Sequence, residues 1–167
     1  WALVSSASKS FNIPALNGSY AFIADDVARE HYLFNLKQVD GLSSPSILGV
    51  IGLMAAYQEG GPWLDELKSY LYENHRYVQE MLAKELPSIG YQIPDSTYLA
   101  WIDLSSLSLD MDALNQSLIK NHKVAIMQGS TYGVAGKDFV RLNLGCPRIK
   151  VDQGLMALIS AIKELSL

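Results

Sequence analysis

The chain has 167 residues, 49% of them hydrophobic and 18% charged, a balance that supports a packed core and excludes a disordered tail. Thirteen basic side chains against 17 acidic ones give a net charge of −4, with no basic stripe, which argues against nucleic-acid binding. The single cysteine, Cys146, closes no intrachain disulfide and no Cys/His metal spacing occurs, so a reducing, cytoplasmic setting is the default and no metal is expected.

Along the chain, residues 1–4 form a short apolar run that leads into a hydroxyl-rich turn, without the basic start of a secretory leader. The first residue is Trp1 rather than Met, and the segment is expected to begin inside a longer protein. Residues 20–24 read as a strand. Asp25 and Asp26 then open a polar helix toward Phe34, with acidic groups at its N-terminus. Ser43-Ser44-Pro45 offers an N-cap hydroxyl and a first-turn proline to the next helix, which is apolar almost all round: Ile47, Leu48, Val50, Ile51, Leu53, Met54. Its apolar part, residues 47–57, is 11 residues long. A membrane span needs about 20, so a buried helix is predicted and no membrane.

Gly60-Gly61-Pro62 sets the start of a long helix and Pro87 its stop. Leu64, Leu67, Leu71, Val78 and Leu82 share one face of it. At 1.5 Å per residue it makes a rod of roughly 35 Å, long enough to bridge two domains. Residues 88–167 read as an α+β unit. A strand at 98–103 precedes a short helix through His122 capped by Asp110 or Asp112. Strands at 124–127 and 138–144 follow, and Asp152 opens a final helix with Leu155, Leu158, Ile159, Ile162 and Leu165 inward. At about 80 residues, this part is expected to hold an independent core.

Two places can carry chemistry. In Ser5-Ser6-Ala7-Ser8-Lys9-Ser10-Phe11-Asn12 a lone amine stands among small hydroxyls just after an apolar strand, where open α/β sheets place ligands. Such an amine can form a Schiff base with a phosphorylated carbonyl compound while a hydroxyl holds the phosphate. A plain solvated turn with a surface lysine is the competing reading. In Val140-Arg141-Leu142-Asn143-Leu144, strand alternation gives the aliphatic side chains to the core and turns Arg141 the other way. A guanidinium there suits a carboxylate, two bonds at once, although a sheet-surface arginine paired with an acid has the same pattern. His31, His75 and His122 have no second ligand at i+4 and read as surface or capping groups; Cys146 reads as a small buried residue and Arg148 as a strand-end one.

Together the two places carry a resemblance. Ser6-Ala7-Ser8-Lys9-Ser10-Phe11-Asn12-Ile13 resembles the cofactor-lysine motif of fold-type I pyridoxal-phosphate enzymes, the class I/II aminotransferase superfamily. Gly129-Ser130-Thr131-Tyr132-Gly133 and the run from Phe139 through Arg148 resemble its small-domain signature. The ending Arg-Leu-Asn-Leu-Gly-Cys-Pro-Arg, with Tyr98-Leu99-Ala100-Trp101-Ile102-Asp103, is most similar to the bacterial cystathionine β-lyase branch. The resemblance implies an α/β fold: the C-terminal part of a fold-type I transferase, with the end of the large cofactor-binding domain (1–60), an interdomain helix (61–87) and a small βαββα domain (88–167).

It also implies pyridoxal 5'-phosphate as cofactor, Lys9 as its covalent anchor and the acid/base at the substrate α-carbon, and Ser6 as a phosphate contact. Arg141 becomes the ligand of the α-carboxylate of an amino-acid substrate. Where many aminotransferases of the superfamily have a second phosphate-binding arginine, eight residues after the lysine, this chain has Asn17, a departure that fits the lyase branch. The implied enzyme is a homodimeric C–S β-lyase acting on cystathionine or cysteine-type substrates, with an aminotransferase as the alternative. A non-catalytic interaction module is the reading from another class, and the presence of both Lys9 and Arg141 counts against it. The chain alone is expected to be inactive and to self-associate through residues 45–58.

Overall fold

A computed structural model describes residues 1–42 and 44–166. They divide into two compact units, Trp1–Leu67 and Lys68–Leu167, whose boundary falls inside one helix.

In the first unit β1 (Ala2–Ser5) pairs antiparallel with β2 (Tyr20–Ile23), Ala2 opposite Ile23 and Ser5 opposite Tyr20. The loop between them holds the cofactor-type motif. Helix α1 (Asp26–Phe34) starts where the two aspartates predict: the Asp25 carboxylate accepts from the Ala28 N–H at 2.7 Å. The coil continues beyond Phe34 as a wider turn over Asn35–Val39.

Helix α2 (Ile47–Glu59) is capped by Ser46, whose Oγ accepts from Gly49 N–H at 3.3 Å. The expected cap at 43–45 is therefore corrected to the next hydroxyl along; Pro45, which fixes its own φ and bars an N–H there, precedes the cap instead of lying in the first turn. Ser43 itself lies outside the described residues. Within this unit α2 leaves Ile47, Leu48, Ile51 and Met54 exposed, so the expectation of a helix buried all round is not met here. No described helix is long and apolar enough to cross a membrane.

Helix α3 (Gly61–Glu85) begins at the double glycine and ends ahead of Pro87. From Lys68 onward it belongs to the second unit. There β3 (Leu99–Asp103), β4 (Met127–Gln128) and β5 (Phe139–Asn143) form an antiparallel sheet of order β3-β5-β4. Helix α4 (Met111–Lys120) is capped by Asp110, which accepts from the N–H groups of Asp112 and Ala113. Helix α5 (Arg148–Leu165) completes the unit.

One face of the sheet gives Ala100, Ile102, Val140 and Leu142 to the core. Leu114 and Leu118 of α4 join them, and so do Leu155, Leu158, Ile159 and Ile162 of α5. The core does not stop at residue 88: Val78 and Leu82 of α3 are completely buried in the same cluster, and Leu86 nearly so.

Four local expectations change in this unit. The strand foreseen at 124–127 shrinks to two residues, because Lys123 takes a left-handed φ of 58° and Val124 N–H still donates to Leu118 O at the end of α4. Helix α5 opens at Arg148, not Asp152, since the Pro147 carbonyl already accepts from Lys150 and Val151. Asp152 instead accepts a hydrogen bond from the Tyr77 hydroxyl. Leu165 is partly exposed rather than inward.

The largest change is His75, foreseen on the surface and found 3% exposed. Its Nε2 lies 3.2 Å from Thr97 O, a carbonyl that can only accept, so Nδ1 takes the Tyr91 hydroxyl proton at 2.6 Å. Burial pushes the imidazole pKa down and the Tyr91 pKa up to about 12, so this bridge is a neutral one. It pins Thr97, whose φ of 81° is strained for a β-branched residue, just ahead of β3.

Candidate active site

The loop after β1 is tied down by its backbone. Phe11 N–H donates to Ala7 O and Ile13 N–H to Ser8 O, both at 3.0 Å, and Ala7 is fully buried. Asn12 and Asn17 take left-handed conformations, which asparagine tolerates better than most residues. Phe11 anchors the far end, edge-on to Tyr57 with centroids 5.9 Å apart and stacked on Trp63 at 6.2 Å.

Ser6 is half-buried and spends its hydroxyl inside the loop: Oγ donates to Gly18 O and accepts from Ser8 N–H at 3.1 Å. Lys9 projects from this anchored loop, exposed, with no hydrogen bond or ion pair among the described residues. The Ser8 and Ser10 hydroxyls are likewise uncommitted there.

Beneath the loop the backbone runs onto α2 at Gly49. A Cβ on Gly49 would sit 2.5 Å from Leu16 O and 3.0 Å from Asn17 O, and neither carbonyl can yield without moving the loop. Gly49→Ala is therefore expected to destabilise the first unit by about 1–3 kcal/mol, the usual cost of overpacking, and to shift the amide resonances of Ser8 and Lys9. An unchanged melting temperature with unmoved resonances would show that this contact does not hold the lysine loop.

Arg141 stands in the second unit, in the middle of β5, opposite Trp101 of β3 on one side and Met127 of β4 on the other. It faces away from the core, as strand alternation predicts, and is half-buried. Its Nη2 donates to Met127 Sδ at 2.7 Å, and its Cζ lies 4.6 Å from the centre of the Tyr132 ring. No carboxylate pairs with it among the described residues, whereas Arg29 is paired with Asp26, and Arg76 with Glu73 and Glu80. Trp101 stacks on Phe139 at 5.3 Å and meets Tyr132 edge-on at 5.7 Å, so the guanidinium lies at the rim of an aromatic platform.

Of the predicted site residues, Lys9 and Ser6 share one loop and Arg141 belongs to the other unit. Arg148 has a different role from the one foreseen: its Nε donates to the fully buried Asn74 at 2.8 Å, and its guanidinium lies 4.6 Å from the centre of the Tyr77 ring. It holds the β5–α5 turn against α3. Cys146 is half-buried rather than buried. No cluster of three or more His, Cys, Asp or Glu gathers among the described residues. Tyr132 and Met127 are absent from the sequence-based set, although the turn at 129–133 is quoted there as part of the small-domain signature.

The chain matches the aminotransferase class I and II family over residues 1–158 and belongs to it. Among curated proteins it is 53% identical to protein MalY of Escherichia coli (strain K12) over 165 residues, 99% of this chain and 42% of that protein. It is 37% identical to the cystathionine β-lyase PatB of Bacillus subtilis (strain 168), over 93% of this chain and 40% of that protein. Cystalysin from Treponema denticola, a structure containing pyridoxal 5'-phosphate, superposes with a TM-score of 0.87 at 29% identity, covering 98% of this chain and 41% of that one. A pyridoxal-phosphate-bound C–S lyase from Staphylococcus hominis gives 0.86 at 30%, covering 98% and 42%. The fold is thus that of a fold-type I enzyme, and the chain spans about two fifths of the length of the curated relatives it matches.

Proposed function

We propose that the chain is the Lys9- and Arg141-bearing part of a pyridoxal-phosphate-dependent C–S β-lyase that cleaves cystathionine or cysteine-type substrates to a thiol, pyruvate and ammonia. The observation that carries the reading is a pair of cations that no carboxylate neutralises among the described residues: an amine on an anchored, hydroxyl-rich loop, and a half-buried guanidinium held only by a neutral sulfur and an aromatic ring. The kinship to MalY and to the cystathionine β-lyase PatB supports the choice of chemistry.

The donor set fits the cofactor. A primary amine beside the hydroxyls of Ser6, Ser8 and Ser10 matches an aldehyde and a phosphate on one small molecule. Ser6 donates to Gly18 in this structure, so contact with a phosphate requires its hydroxyl to turn, while Ser8 offers an uncommitted one. When bound, the cofactor supplies an electron sink for the carbanion left at the substrate α-carbon.

Arg141 binds the α-carboxylate through two N–H groups and so orients the α-carbon. Lys9 would hold the cofactor covalently until the substrate amine displaces it, and the freed lysine amine would then take the α-proton. The electron pair left on the α-carbon would form the Cα–Cβ double bond, and the sulfur would leave the β-carbon with the C–S bonding pair and pick up a proton as the thiol. In this reading residues 1–60 belong to the cofactor-binding domain, 61–87 lead out of it, and 88–167 form the small domain. The working enzyme is a cytoplasmic homodimer of full family length, and the 167-residue chain alone is inactive, associating through residues 45–58.

The family also carries aminotransferases, which share proton removal at the α-carbon. Pyruvate release from cystathionine without an added keto acid, measured with a lactate dehydrogenase couple, distinguishes the lyase; dependence on a keto acid would identify the transferase. Arg141→Lys keeps the charge and loses the fork. It is expected to raise KM about 10- to 100-fold, the loss of a charged hydrogen bond, with cofactor absorbance retained. Loss of absorbance at an unchanged KM would assign Arg141 elsewhere.

A further inference from the structure

Arginine side chains on a protein surface are commonly oriented by a carboxylate, as Arg29 and Arg76 are here. Such a partner fixes the guanidinium but cancels its charge and takes the paired N–H groups that an incoming carboxylate needs. Arg141 is held by different means. The Tyr132 ring lies against it at 4.6 Å, and Met127 Sδ takes one N–H of Nη2 at 2.7 Å. The first is an attraction to the ring quadrupole and the second a bond to a weak, neutral acceptor. Neither brings a negative charge.

The holders are themselves fixed. The Tyr132 hydroxyl donates to the same Met127 Sδ at 3.2 Å, and its ring meets Trp101 edge-on. The segment bearing Tyr132 folds tightly because Gly129 and Gly136 touch: a Cβ on either would lie within 2.4 Å of the other's carbonyl oxygen. Met127 is set opposite Arg141 by the strand register itself.

We propose that Tyr132 and Met127 are positioning residues that orient the Arg141 guanidinium without neutralising it, so that its charge and its N–H fork stay available to the substrate carboxylate. The proposal rests on the reading of Arg141 as carboxylate ligand, and the test separates the two. In the chain itself, side-chain protons of Arg141 should show an upfield ring-current shift that Tyr132→Leu abolishes and Tyr132→Phe keeps.

In an enzyme of full family length, Tyr132→Leu should raise KM for cystathionine about 3- to 30-fold, the range of a cation–π contact, with kcat held within about twofold. Tyr132→Phe should recover most of that loss. Met127→Glu places a carboxylate beside the guanidinium and should raise KM at least as far as Arg141→Lys does.

If Arg141→Lys raises KM while Tyr132→Leu and Met127→Glu leave it unchanged, the positioning role is wrong and the reading of Arg141 stands. If Arg141→Lys leaves KM unchanged, that reading fails and takes the proposal with it. Should Tyr132→Leu not fold, Met127→Glu decides alone, because Met127 is exposed and tolerates a polar side chain; an unchanged KM there overturns the proposal.

Discussion

Lys9→Ala, in an enzyme of full family length, is expected to abolish turnover while leaving the fold intact. Loss of a positioned proton-transfer group alone costs about 10²–10⁴-fold, and here the same amine is also the proposed covalent anchor. Borohydride reduction of the parent with pyridoxal phosphate should leave a stable adduct on the Lys9 peptide, and none in the variant. The fold is spared because nothing that anchors the loop uses the amine. The loop depends on the buried Ala7, on the Ser6 to Gly18 bond and on Phe11 against Tyr57 and Trp63. An exposed side chain without partners is usually worth less than about 0.5 kcal/mol, so the melting temperature should hardly move. A Lys9→Ala enzyme that still turns over, or still fixes the cofactor at that peptide, would sink the assignment.

The sequence is most readable where structure is local. Asp25, at the foreseen acidic start, and Asp110, one of two caps foreseen, cap their helices, because an N-cap involves a side chain and N–H groups two or three residues away. The alternation of Val140, Leu142 and Leu144 against Arg141 follows from the two-residue period of a strand and appears unchanged in the fold. Expectations shift where a distant group competes. Asp152 is a good cap by type, yet it is drawn to Tyr77, 75 positions earlier, and Pro147 has already started the helix. His75 looks like any polar residue on a long helix until Tyr91 and Thr97 enclose it.

The candidate site divides along the same line. Lys9, Ser6 and Arg141 are proposed from contiguous motifs. Tyr132 and Met127 become neighbours of Arg141 only through the order β3-β5-β4 and its register, which no run of residues spells out. The visible hint is Gly129-Ser130-Thr131-Tyr132-Gly133, a turn too rich in glycine to be a plain connector. The apolar face of α2 is legible from composition, but among the described residues of the first unit Ile47, Leu48, Ile51 and Met54 are left uncovered.

The second large effect concerns how much of α3 the core of residues 88–167 needs. Cutting at residue 88 looks natural, since Pro87 ends the long helix and the strand pattern starts soon after. The core says otherwise. Val78 and Leu82 are fully buried in it and Leu86 is 8% exposed, so removing them strips three side chains from the cluster. Each is worth about 1.5–3 kcal/mol of burial, together about 5–9 kcal/mol, comparable with the whole stability of a domain this size, about 5–15 kcal/mol. The same cut removes His75 and leaves the Tyr91 hydroxyl without its acceptor, and it removes Asn74, which donates to Leu144 O at 2.9 Å and accepts from Arg148. A fragment of residues 68–167 is therefore expected to melt cooperatively with native-like helix and sheet content, and a fragment of residues 88–167 to be unfolded at room temperature. Circular dichroism melts of the two settle it, and a cooperative transition in the shorter fragment would mean that α3 packs on a core already complete without it.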